Sequence, residues 1–194
     1  MKTEITRADL LPMAMYEKER KERRQRMAAL KANRRIEVGP FATFYFENYE
    51  TMIHQVHEML AIEKGGDTQV EDELAAYNPL VPKGRDLVAT VMFEIEDPAR
   101  RARELARLGG VELQIYIAVG GTRSHGQQIG DDERTRADGK TSSVHFLRFI
   151  FTPEAIAAFK RPNAEVTIEI THPNYGHMAR LPEPVRAALA ADFA

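Results

Sequence analysis

Ala164-Glu165-Val166-Thr167-Ile168-Glu169-Ile170-Thr171 decides the fold class. Val166, Ile168 and Ile170 alternate with Thr167, Glu169 and Thr171, so one face of this strand is apolar and the other polar. A strand inside a parallel sheet, covered on both faces, would read as a nearly continuous apolar run instead. Val111–Val119 shows the same one-sided polarity. Both stretches close strand–helix–strand units, Leu87–Val119 and Thr141–Thr171, whose helices (Pro98–Leu108 and Pro153–Lys160) are short. The expected class is therefore α+β: a largely antiparallel sheet of about five strands with helices packed on one side. A doubly wound sheet ranks second, because no glycine-rich fingerprint joins a strand to a helix.

The other strands are Arg35–Phe46, with Gly39-Pro40 marking a turn or bulge inside it, Leu87–Glu96 and Thr141–Phe151. Gly120–Lys140, with five glycines and many charges, reads as a long polar loop. Helices are expected over Thr68–Tyr77, stopped by Asn78-Pro79, and over Pro184–Asp192. At the N-terminus Asp9 is the expected cap of a helix from about Leu10 to Ala32. Its middle, Glu17–Arg26, is polar throughout, with six cations, three acids and acid-first i,i+4 pairs such as Glu17–Lys21 and Glu22–Arg26. A helix polar all round bridges solvent or meets a partner through charge. The expected organisation is a protruding charged helix over residues 1–34 and one α+β domain over 35–194, with a homodimer formed through the helix.

Composition narrows the function. The chain has 194 residues, a net charge of −2 and no cysteine. The lack of cysteine excludes disulfides, thiolate metal ligation and iron–sulfur clusters held by this chain, and it fits a reducing cytoplasm. No apolar run reaches the length of a membrane span, and the first residues lack the apolar core of a signal peptide. The charge balance, the prepaired arginines and the missing aromatics of the first helix argue against nucleic acid.

Three constellations carry candidate chemistry. On the helix Glu47–Leu60, Glu50, His54, His57 and Glu58 fall on the face opposite Met52, Ile53, Val56 and Leu60. They form a candidate site for a transition metal ion, against the plainer reading of a solvated charged face. In Ser142–Phe151 both faces are apolar around His145 and Arg148, as in a central strand. Arg148 then needs an acid such as Glu58 or Glu94, or else it clamps an anion on a pocket floor. His172 and Tyr175, in His172-Pro173-Asn174-Tyr175, are either turn punctuation or the completion of a site begun by His145. Lys31, Arg34 and Arg35 form a small cationic cluster suited to an anion.

Together, Lys31–Arg35, Phe46–Thr51, Gln55, Glu58-Met59, Tyr77–Leu80, Ser143–Phe149 and His172–Tyr175 resemble a family of bacterial proteins of this length and of unknown function. Its members are often encoded beside rubrerythrin-like and iron–sulfur oxidoreductase proteins. The resemblance spans nearly the whole chain. It implies a role near redox or peroxide metabolism, with redox proteins as partners. It points to Glu47, Glu58, His145, Arg148 and His172 rather than to His54 and His57. The function expected is that of an accessory or interaction protein; the alternative is a metal- or small-anion-binding enzyme with a Glu/His/Arg pocket.

Overall fold

A computed structural model describes residues 2–130 and 134–194. Its strands are β1 (Arg35–Val38), β2 (Ala42–Glu47), β3 (Asp86–Phe93), β4 (Ile115–Val119), β5 (Thr122–Gln128), β6 (Val144–Ile150), β7 (Val166–His172) and β8 (Tyr175–Arg180). They form one sheet in the order β1-β2-β3-β6-β5-β4-β7-β8. Every neighbouring pair is antiparallel. The helices are α1 (Met13–Ala32), α2 (Tyr49–Glu63), α3 (Asp67–Tyr77), α4 (Pro98–Ala106), α5 (Pro153–Lys160) and α6 (Glu183–Ala190).

The sheet curls until its two edges nearly meet. At the seam, the Tyr175 hydroxyl of β8 donates to Val38 O at 2.8 Å. It also accepts from the amides of Phe41 and Ala42 at 3.0 and 2.9 Å, so one side chain ties β8 to the β1–β2 hairpin. Gly39 makes this approach possible: its φ is +73°, and a Cβ there would stand 2.6 Å from the His177 ring.

Alternate residues of each strand fill the barrel, among them Phe44, Leu87, Val91, Ile117, Leu147, Phe149 and Ile168. This is the packed interior expected of an eight-stranded closure. Gly126 of β5 lies opposite Phe149. A Cβ there would come within 3.0 Å of that ring, so the glycine makes room for it. Leu105, Leu108 and Val111 close one end, beside α4. At the other end Phe151, Phe159 and Phe193 meet edge to face at 5.2 to 5.9 Å, below α5 and α6. A second apolar layer lies outside the wall, where Met52, Val56 and Leu60 of α2 and Val70 and Leu74 of α3 cover the outward Val88.

Several expectations about the fold need correcting. The sheet has eight strands, not about five. Arg35–Phe46 is a hairpin of two strands. Within the glycine-rich stretch 120–140 lies β5, whose inward residues are Ser124 and Gly126, so it carries no apolar alternation. The turn read at His172–Tyr175 is confined to Pro173-Asn174 and opens β8. Part of the expected loop, residues 131–133, lies outside the described residues. The helices do not share one side: α2 and α3 cover the outer wall, while α4 and the α5–α6 pair sit at opposite ends. Nor does the N-terminal helix protrude. It lies along α2, with Tyr16 buried between them, and it starts at Met13 because Asp9 caps an earlier turn by accepting from Thr6 N at 2.8 Å.

Candidate functional site

α2 begins where Asn48 accepts from Thr51 N at 3.0 Å while Thr51 Oγ1 accepts from Asn48 N at 2.9 Å, a reciprocal cap. Its apolar stripe seats on β3, and this turns Glu50, His54, His57 and Glu58 toward α1. The Tyr16 ring stacks on His57 at 4.6 Å and 10°. Its hydroxyl donates to Glu58 Oε1 at 2.8 Å and lies 3.4 Å from His54 Nδ1. Arg20 grips both oxygens of Glu58 at 2.9 Å. The Arg20 bonds hold the Glu58 carboxyl down at about 2 against the opposing effect of burial. Burial, reinforced by Glu58, pushes the Tyr16 hydroxyl well above its ordinary value.

His57 Nδ1 lies 2.7 Å from Ile53 O, so it carries the proton and donates, while Nε2 accepts from Leu11 N at 3.0 Å. Both nitrogens are thus committed to backbone, and burial lowers the ring's pKa. His54 is lowered as well, first by burial, with Glu58 opposing. Among the described residues no group of three or more His, Cys, Asp or Glu side chains is arranged to hold a metal ion. Glu58 is spent on Arg20 and Tyr16, which leaves Glu50 and His54 as the members of the candidate metal set without a tight partner among the described residues.

Between α1, α2 and the segment around Leu11 lies a cleft of about 500 Å³. Leu11, Met27, Leu30 and Ile53 give it an apolar lining, and Arg23, Arg26, Glu50 and His54 a polar rim. Arg23 pairs with Glu19 at 2.7 Å. From Arg23 to Ala32 the helix carries four cations and no acid. Arg24, Arg26 and Lys31 have no ion-pair partner among the described residues.

The remaining candidates are dispersed. Glu47 accepts from Thr51 and Thr90 at 2.7 and 2.8 Å. Arg148 faces the outer wall, where it pairs with Asp86 and donates to Pro79 O at 2.6 Å. Its acid is therefore neither Glu58 nor Glu94. His145 points into the barrel, fully buried, with the edge of Phe93 against it at 5.9 Å. His172 sits at the α4 end, 3.3 Å from Gly109 O, with its Nδ1 accepting from Asn174 N. Tyr175 is the seam. Lys31, Arg34 and Arg35 diverge: Lys31 stays near His54, Arg34 is buried against Asp192 and the carbonyls of Phe46 and Glu47, and Arg35 pairs with Glu37.

Sequence reasoning passed over Tyr16, Arg20, Asp86 and Asp192. Tyr16 had a signal: it is the lone aromatic of a polar helix, and Arg20, Arg23, Met27 and Leu30 follow it at helical spacing. Asp86 and Asp192 had none, because their partners lie 62 and 158 positions away.

A family model described as a protein of unknown function, DUF3501, matches residues 4–193. The chain belongs to the DUF3501 family. A solved structure, titled as a novel protein of unknown function from Burkholderia pseudomallei K96243, is similar at 37% identity and a TM-score of 0.90. The match covers 98% of this chain and 99% of that one. No curated protein matches the chain. The resemblance noted in the sequence is thus to a real family, and DUF3501 membership brings with it a fold but no activity.

Proposed function

We propose that this protein works by binding, as an accessory protein without turnover of its own, and that the α1–α2 face is its working surface. One observation carries the reading. The groups able to do chemistry are dispersed over the barrel interior, its seam and its outer wall, and most are held by internal partners, whereas the α1–α2 cleft is open. An apolar recess bordered by Arg23 and Arg26, on a helix that also carries Arg24 and Lys31 with no ion-pair partner among the described residues, suits an acidic protein surface that inserts one apolar anchor residue. Redox proteins of the kind implied by the family resemblance are the first partners to test. A cysteine-free chain, with no helix among the described residues long and apolar enough to cross a membrane, fits work beside them in the cytoplasm. A second copy of the chain, giving a homodimer through α1, is the competing occupant of the same face.

The test is association of the purified protein with a candidate iron–sulfur oxidoreductase, followed by sedimentation at rising salt. The expected result is a complex that weakens with salt and loses at least tenfold in affinity in the double variant Arg24→Glu/Arg26→Glu, about 1.4 kcal/mol or more. Self-association lost in the same variant would assign the face to a dimer. A stoichiometric transition metal in the purified protein, lost in Glu58→Ala, would overturn the reading in favour of the metal-dependent alternative.

A further inference from the structure

At the α4 end of the barrel, two buried groups that act on each other electrostatically each hold an acceptor without a partner among the described residues. Glu112, in the turn before β4, is 6% exposed, and His145 is 0% exposed. His145 Nε2 lies 2.9 Å from Ser142 O. A carbonyl oxygen only accepts, so Nε2 carries the ring proton and Nδ1 is a bare acceptor. Burial favours this neutral form, lowering the pKa against the opposing pull of Glu112. Glu112 Oε1 accepts from Thr135 Oγ1 at 3.2 Å. Neither Glu112 Oε2 nor His145 Nδ1 has a hydrogen-bond partner among the described residues. Thr135 and Thr141, 3.3 Å apart, join the two groups through their hydroxyls, with Thr141 Oγ1 3.3 Å from His145 Nε2.

Buried acceptors of this kind are nearly always satisfied in folded proteins. We infer that the α4 end of the barrel is a binding site for one water molecule, which donates one hydrogen to Glu112 Oε2 and the other to His145 Nδ1. The required ligand is a neutral, solvent-sized double donor. A cation fits less well, because the Arg134 guanidinium already acts on His145 as a nearby positive charge. With water bound, a ring of hydrogen bonds runs through Glu112, water, His145, Thr141 and Thr135. It joins the turn Val111–Gln114, strand β6 and the loop closed by the Thr135–Thr141 bridge. This site is independent of the α1–α2 cleft.

A crystal structure of the full chain at a resolution that orders solvent is expected to place one water within about 2.7–3.2 Å of both atoms. In solution, oxygen-17 relaxation dispersion is expected to count one fewer long-lived internal water in Glu112→Met than in the wild type. Long-range proton–nitrogen correlation on the wild-type protein is expected to find the Nε2–H tautomer of His145, a readout that holds even if the variant does not fold. A direct contact between Glu112 and His145, an Nδ1–H tautomer, or an unchanged water count in a folded variant would each overturn the inference.

Discussion

The barrel and the α1–α2 layer bury histidines for different ends. Inside the barrel His145 packs against the edge of Phe93 and is held by Ser142 O and Thr141, and the barrel wall is closed by backbone pairing and by the Tyr175 seam. Between α1 and α2, His57 and Tyr16 stack under a rim of arginines, and Glu58 and Arg20 neutralise each other at the edge of a cleft. The barrel converts sequence into stability. The helical layer leaves charge unspent, and unspent charge can recognise something else. A residue list that mixed the two regions read as one pocket only because chain distance hides which wall each side chain faces.

The sharpest way to break this comparison is to damage the barrel alone. Phe149→Ala removes a buried ring at the centre of β6 and is expected to cost about 3–5 kcal/mol in urea unfolding. Partner association below the melting transition should stay unchanged; a weakened complex would mean that the two regions are coupled. Tyr175→Phe strands the Phe41 and Ala42 amides and the Val38 carbonyl at the seam, with an expected loss of about 1–3 kcal/mol. A neutral result would show that the curl holds without this tie.

Smaller effects separate the layers by pH. The folded-state carboxyl of Glu58 is depressed from 4.5 to about 2. Its contribution is therefore full above pH 4.5 and is lost as the pH falls toward 2. Glu58→Gln should flatten stability over that window, and Arg20→Ala should lower stability slightly at neutral pH. The histidines act in a higher window. Burial lowers His54, His57 and His145 below 6.5, so the unfolded chain takes up their protons first. Stability should begin to decline as the pH drops below 6.5, and His145→Asn should remove part of that slope in pH-dependent unfolding. The smallest stability effect belongs to Arg26→Ala, within about 0.5 kcal/mol, because it is an exposed cation with no ion-pair partner among the described residues. If that substitution also leaves association intact, the cleft is not the working surface.

Much of this architecture was legible from residue order. The alternation in Ala164–Thr171 correctly announced antiparallel pairing, and the helix limits at Pro153 and Lys160 match α5. β5 was illegible because its inward positions are Ser124 and Gly126, chosen to clear Phe149 rather than to look apolar. β8 was hidden by His172-Pro173-Asn174-Tyr175, which read as turn punctuation although only Pro173 and Asn174 make the turn and Tyr175 opens the strand. At the candidate site, the helix face carrying Glu50, His54, His57 and Glu58 was visible in spacing, but what it faced was not.

Local chemistry, acting over a few residues, determined the α+β class, the capped start of α2, the cysteine-free surface and the charge unspent on the first helix. Contacts across the whole chain decided that the sheet curls shut, that Arg148 meets Asp86 and Arg34 meets Asp192, and that His145 and Glu58 look away from each other. Strand order assigns each side chain to the inside or the outside of the wall, and that order depends on pairings between residues too distant in sequence for any local pattern to record.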